Sequence, residues 1–98
     1  MKNENISGII PAVCAMLEAG HTVDFSFGGD RYLIEQENNK GWDYISIWRT
    51  GSAVQCLGRA MFDIFDGISE DTVRELFELP CIDGRSLSSL ADETTFEL

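Results

Sequence analysis

Histidine is nearly absent from this chain, and no serine or cysteine sits in a nucleophile motif, so the commonest routes to catalysis are missing from the start. His21 stands alone past the first apolar-periodic segment, with no sequence neighbour placed to make it an acid or a base. Cysteine is scarce and odd in number. Cys14, Cys56 and Cys81 are far apart and lie in apolar surroundings (AVCAM, VQCLG, LPCID). They offer neither a disulfide framework nor the paired short spacing of zinc ligands, and read as reduced thiols of a cytoplasmic protein. The N-terminal MKNENISGIIPAV lacks the apolar run of a signal peptide, and no stretch approaches the ~20 apolar residues of a membrane span. A cytoplasmic location is therefore expected, with no cofactor and no metal.

Basic residues are few. Seven of them face seventeen acids, for a net charge of −10 and a pI near 4.2. The imbalance grows along the chain: residues 1–50 hold seven acids and four bases, residues 51–98 ten acids and three bases. Such a surface repels nucleic-acid phosphates and anionic lipids, so neither nucleic acid nor membrane is an expected partner, whereas a basic protein is. Solubility is the plainer use of the same charge.

What is present suits one globular α+β domain over residues 1–98, with 44% hydrophobic residues and two prolines. Ile6, Ile9, Ile10, Val13 and Leu17 recur at helical steps, and Pro11 places the start of regular helix between Ser7 and Ile10. Gly20 ends this helix. Three strands follow as an antiparallel meander: Thr22–Phe27, Arg31–Glu37 and Asp43–Arg49, joined by turns at Gly28-Gly29-Asp30 and Asn38-Asn39-Lys40-Gly41. Tyr44, Ser46 and Trp48 alternate with Ile45 and Ile47, so large apolar residues fall on both sides of the sheet. Val54, Leu57, Met61 and Phe65 then step along one helical face, although Gly58 weakens a helix there and a fourth strand over Ala53–Leu57 is the alternative.

A further helix begins at Ser69. Serine is a good N-cap, Glu70 and Asp71 put negative charge in the first turn, and Val73, Leu76 and Phe77 make an inward stripe before Pro80. Ser86 caps one short helical turn through Leu90, and Thr94, Phe96 and Leu98 alternate like a short terminal strand.

Two apparent motifs dissolve on inspection. Gly28-Gly29-Asp30 has strand on both sides, whereas a phosphate-cradling glycine loop joins a strand to a helix. The acids around Gly67 fail as a calcium loop because Phe62 and Ile64 fall where oxygen ligands belong.

Two groups remain as candidate binding residues. Tyr32, Trp42, Tyr44 and Trp48 are the residue types favoured at interaction hot spots, and equally suit a packed second sheet face. Asp63, Asp66, Glu70, Asp71, Glu75 and Glu78 form the acidic stretch, which is either a docking surface for a basic partner or a solvated face.

The runs Gly29-Asp30-Arg31-Tyr32-Leu33-Ile34, Trp42-Asp43-Tyr44-Ile45 and Ile82-Asp83-Gly84-Arg85-Ser86-Leu87 resemble those of small uncharacterised acidic proteins from bacterial genomes and their mobile elements. That group has no established activity, and the resemblance implies a bacterial accessory protein rather than a metabolic enzyme. The expectation is a non-catalytic protein-binding or regulatory module of the inhibitor or immunity kind. The alternative is an enzyme or small-ligand binder whose polar groups converge from distant parts of the chain.

Overall fold

The alternating segments pair because each buries one row of side chains and gives its backbone to its neighbours. The computed structural model describes residues 2–98, with side chains from residue 8 onward. Helix α1 (Lys2–Glu18) precedes strands β1 (Val23–Phe27), β2 (Asp30–Asn39), β3 (Trp42–Arg49) and β4 (Gln55–Phe62). Helices α2 (Glu70–Glu78) and α3 (Leu87–Leu90), a single 3-10 turn at Ala91–Glu93, and strand β5 (Thr95–Glu97) complete the chain. The sheet order is β4-β3-β2-β1-β5, antiparallel throughout.

One face of the sheet holds the core. Val23 and Phe25, Tyr32 and Ile34, Ile45 and Ile47, and Ala60 are buried against Ile10, Val13 and Leu17 of α1, Val73, Leu76 and Phe77 of α2, and Leu87 and Leu90 of α3. Each large side chain so buried contributes about 1.5–3 kcal/mol before the entropy cost. Aromatic rings run across this layer: Tyr32 stacks on Phe25 at 5.0 Å, Phe25 meets Phe96 at 5.4 Å, and Phe96 stacks on Phe77 at 6.0 Å. Among the described residues, no helix packs on the opposite face.

The α+β class, the meander, the Ser69-capped helix and the short terminal strand agree with the sequence reading. Two details differ. Residues 55–62 are a fourth strand, not a helix, and β4 extends the meander to four strands. Its inward positions Gly58 and Ala60 are small because other chain segments press on them. A Cβ at Gly58 would lie 3.2 Å from Cys81 Sγ and 3.3 Å from Leu79 Cδ1. That closeness, together with the ladder to β3, overrides a helix-like spacing in which Val54, Met61 and Phe65 are exposed. Helix α1 also starts earlier than Pro11 suggested, at Lys2, with Pro11 inside it. Pro11 is exposed, so water can reach the carbonyl it leaves unpaired. Ile6, assigned by its spacing to the buried stripe, lies outside the described side chains.

The three cysteines are free and half-buried. Cys14 Sγ donates to the Ile68 carbonyl at 3.2 Å, tying α1 to the residue before the N-cap of α2. Burial pushes all three thiols above their ordinary range, so they stay protonated and weakly nucleophilic near neutrality. No helix is long and apolar enough to cross a membrane among the described residues.

Candidate functional site

The two ends of the sheet are built differently. At one end Asp30, the first residue of β2, accepts from Ser52 Oγ at 2.8 Å, from the Ser52 amide at 2.9 Å and from the Arg31 amide at 2.9 Å. Arg49, the last residue of β3, lies 3.3 Å from Asp30 and 3.2 Å from Asp83, with its guanidinium over the Tyr32 ring. Tyr32 is 3% exposed and belongs to the core layer. This end is sealed by paired charge.

The helix-free face begins at Asp24 and Ser26 and crosses Leu33, Glu35 and Glu37 to Tyr44, Ser46 and Trp48. At its centre Glu37 accepts from both Arg59 Nε at 3.2 Å and Arg59 Nη2 at 2.8 Å, and from Ser46 Oγ at 2.6 Å. Arg59 covers the Tyr44 ring, and Ser46 beneath is fully buried. The central charges thus cancel in place. Beside them Leu33, Trp48 and Val54 line a shallow hollow of about 240 Å³, where the Trp48 indole N–H is buried without a partner.

These ion-paired carboxylates have a pH consequence. Hydrogen bonds from Arg59 and then Ser46 hold Glu37 below the usual carboxylate range, and hydrogen bonds from Ser52 and Arg31 do the same for Asp30. Groups with depressed folded-state values stabilise the fold fully above the ordinary carboxylate range, and that contribution is lost as pH falls through the depressed values. Unfolding midpoints in urea should therefore fall on acidification below about pH 4. In Glu37→Gln the loss should be shallower. An unchanged acid limb in that variant would show that Glu37 adds nothing to it.

The other end of the sheet is open. The β2–β3 hairpin turns on Lys40 and Gly41, with φ of 56° and 85°, the two positive values that a two-residue turn between twisted strands requires. Trp42 follows as the first residue of β3. Across from it, β4 ends at Phe62 and the chain turns on Asp63. The Asp63 carboxylate accepts from the Phe65 amide at 2.9 Å, and its carbonyl accepts from the amides of Asp66 at 3.0 Å and Gly67 at 2.9 Å. Gly67 has φ of 77° and sits against Glu18, so a Cβ there would lie 3.0 Å from Glu18 Oε1. With its backbone satisfied locally and its exit fixed, this loop holds two apolar side chains out in water.

The result is a cleft of about 450 Å³ lined by Trp42, Asp43, Met61, Phe62, Asp63 and the Ile64–Phe65 pair. Trp42 is 59% exposed, Met61 52%, Ile64 64% and Phe65 94%. Full burial of such a side chain is worth about 1.5–3 kcal/mol, of which Phe65 leaves nearly all unclaimed and the other three roughly half. A cluster of this kind is unlike apolar residues scattered singly over a surface. Asp43 and Asp63 line it, Asp66 follows in the same loop, and Lys40 lies in the neighbouring turn.

The candidate residues from the sequence divide accordingly. Trp42 enters the cleft. Tyr44 and Trp48 lie on the same sheet face as Trp42 but are half-covered, and Tyr32 is on the opposite face. Asp63 lines the cleft and Asp66 follows in its loop. Glu70 and Asp71 occupy the first turn of α2, whose N-cap Ser69 accepts from the Thr72 amide at 3.1 Å. Asp71 pairs with Arg74 at 3.0 Å, Glu78 accepts from Ser88 Oγ at 2.9 Å, and Glu75 is exposed. Met61 and Phe65 were hidden by their assignment to one face of a helix. The Asp63-x-Phe65 spacing and the Asp66-Gly67 pair were the available turn signals. His21 is exposed beyond α1, and no group of three or more His, Cys, Asp or Glu that could hold a metal occurs among the described residues.

Comparison with protein-family models, with curated proteins and with solved structures finds no match for this chain.

Proposed function

We propose that this chain is a non-catalytic binding module that docks a basic partner protein, in the manner of a small inhibitor, immunity or regulatory factor. The observation that carries the reading is the cleft of Trp42, Met61, Ile64 and Phe65, kept exposed by turn chemistry and lined also by Asp43 and Asp63. Aromatic anchors beside a charged rim supply, respectively, residence time and encounter rate. A small-ligand site would call for several converging polar groups, and the only ionisable side chains lining the cleft are Asp43 and Asp63.

The test is affinity capture from the source cell with the wild-type chain and three variants. Trp42→Ala and Phe65→Ser should each weaken retention of the same partner by about 2 kcal/mol, or roughly thirtyfold. Their thermal midpoints should stay near wild type, because exposed substitutions change stability by about ±0.5 kcal/mol. Glu75→Lys with Glu78→Lys should slow association and flatten its dependence on salt, since exposed charge is screened beyond ~8 Å near physiological ionic strength. Equal capture by all variants would defeat the reading and leave the acids to solubility.

A further inference from the structure

The cleft opens beside a free sheet edge, and the two edges of this sheet are not alike. β5 is three residues long and carries the Arg31–Glu97 ion pair at 3.1 Å, a short and charged edge of the kind that discourages further pairing. β4 is eight residues long, and no strand among the described residues pairs with its outer side. A register shift opposite Ile47 and Trp48 disturbs its first half, so regular pairing runs from Gly58 to Phe62. Arg59 is the only charged residue in that strand. Both of its contacting nitrogens are held by Glu37 on the sheet face, so its charge is neutralised and drawn inward from the edge. The usual guards are therefore missing from this half of β4, which leads directly into Met61 and the Ile64–Phe65 loop.

Resting on the docking reading above, we propose that the partner binds as an added strand. An extended segment pairs its backbone with the outer edge of Gly58–Phe62 and places an aliphatic or aromatic side chain in the cleft, against Trp42, Met61 and Phe65. Lys or Arg beside that anchor meets Asp63, which lines the same cleft, and Asp66, which follows in its loop. Charge selects the occupant. A second copy of this chain would bring Asp43, Asp63 and Asp66 against like charges on a molecule of net charge −10, whereas a basic segment meets complementary ones.

A displayed library of random peptides, panned against the full chain, supplies the probe, and the tightest binder is then synthesised. It should carry basic residues beside an apolar anchor, and Phe65→Ser should weaken it. On binding, amide exchange should slow in Gly58–Phe62. N-methylation of every second peptide amide should weaken binding by about tenfold or more in one phase, the scale of one lost backbone hydrogen bond, and little in the other. A binder that lies in the cleft as a helix, or that N-methylation weakens equally in both phases, overturns strand addition while leaving the docking reading intact. Failure to select any peptide that Trp42→Ala and Phe65→Ser weaken overturns the docking reading itself. A wild-type dimer in sedimentation that Phe65→Ser dissolves would install a second copy in place of the partner segment.

Discussion

Truncation of Phe77 to alanine should lower the unfolding free energy by about 3–5 kcal/mol, a large share of the roughly 5–15 kcal/mol typical of a small domain. Phe77 is fully buried at the inner face of α2 and stacks on Phe96, which in turn contacts Phe25 on β1. Its removal opens a cavity where α2, β5 and β1 meet, and the rings around it are fixed by one another. Relaxation is therefore limited, which places the cost at the upper part of the range. Strand β5 holds only three register pairs to β1, so it depends on this stacking more than the longer strands do. Urea unfolding should show the fall in midpoint, and amide exchange should show the loss of protection first at Thr95–Glu97. A loss under about 1 kcal/mol would mean that the core closes over the gap and that β5 is held by its ladder alone.

The features of α2 that make it strong are all local, and each was legible. Ser69 caps it, Glu70 and Asp71 suit its positive end, and Leu79-Pro80 stops it. β4 is weak by the same standard. Val54, Leu57, Met61 and Phe65 stand at helical spacing, yet three of them are exposed, so the pattern that suggested a buried stripe was made largely of surface residues. What fixes β4 is non-local: the ladder to β3 and the packing of Leu79 and Cys81 onto Gly58, neither of which a window of neighbouring residues contains. The same misreading concealed most of the cleft, because Met61 and Phe65 were placed on one face of a helix. The face of Tyr32 was closer to reach. Once the turn is limited to Lys40 and Gly41, Asn39 must oppose Trp42, and counting back sets Tyr32 against Arg49 on the inward row. A one-residue change in that turn would have sent Tyr32 to the side of Trp48, which is why composition alone left the aromatic group divided between core and patch.

Gly51→Ala should cost about 3 kcal/mol, the upper end for forcing a methyl group into an occupied site. The conformation of Gly51 is ordinary; the space beside it is not. A Cβ there would lie 2.1 Å from Asp30 Oδ1 and 2.8 Å from the Arg31 amide nitrogen. The first contact can yield only if the Asp30 carboxylate leaves the Ser52 hydroxyl, the Ser52 amide and the Arg31 amide. The second is with backbone, and that backbone is pinned because the Arg31 carbonyl accepts from the Thr50 amide at 2.8 Å and the Gly51 amide at 3.2 Å. Gly8→Ala is the matching control: nothing lies within 4 Å of the added carbon on the exposed side of α1, so the same methyl group should stabilise by about 0.5–1 kcal/mol there. The pair also separates the two ends of the sheet. Asp30 and Asn39 bound β2, about 30 Å apart at the rise of an extended strand, so Gly51→Ala should leave partner capture unchanged at temperatures where the variant is folded. Phe65→Ser should do the reverse, sparing the melting curve and losing the partner. If Gly51→Ala instead melts within about 0.5 kcal/mol of wild type, the Asp30 cluster is adaptable and does not lock the β1–β2 hairpin to the start of β4.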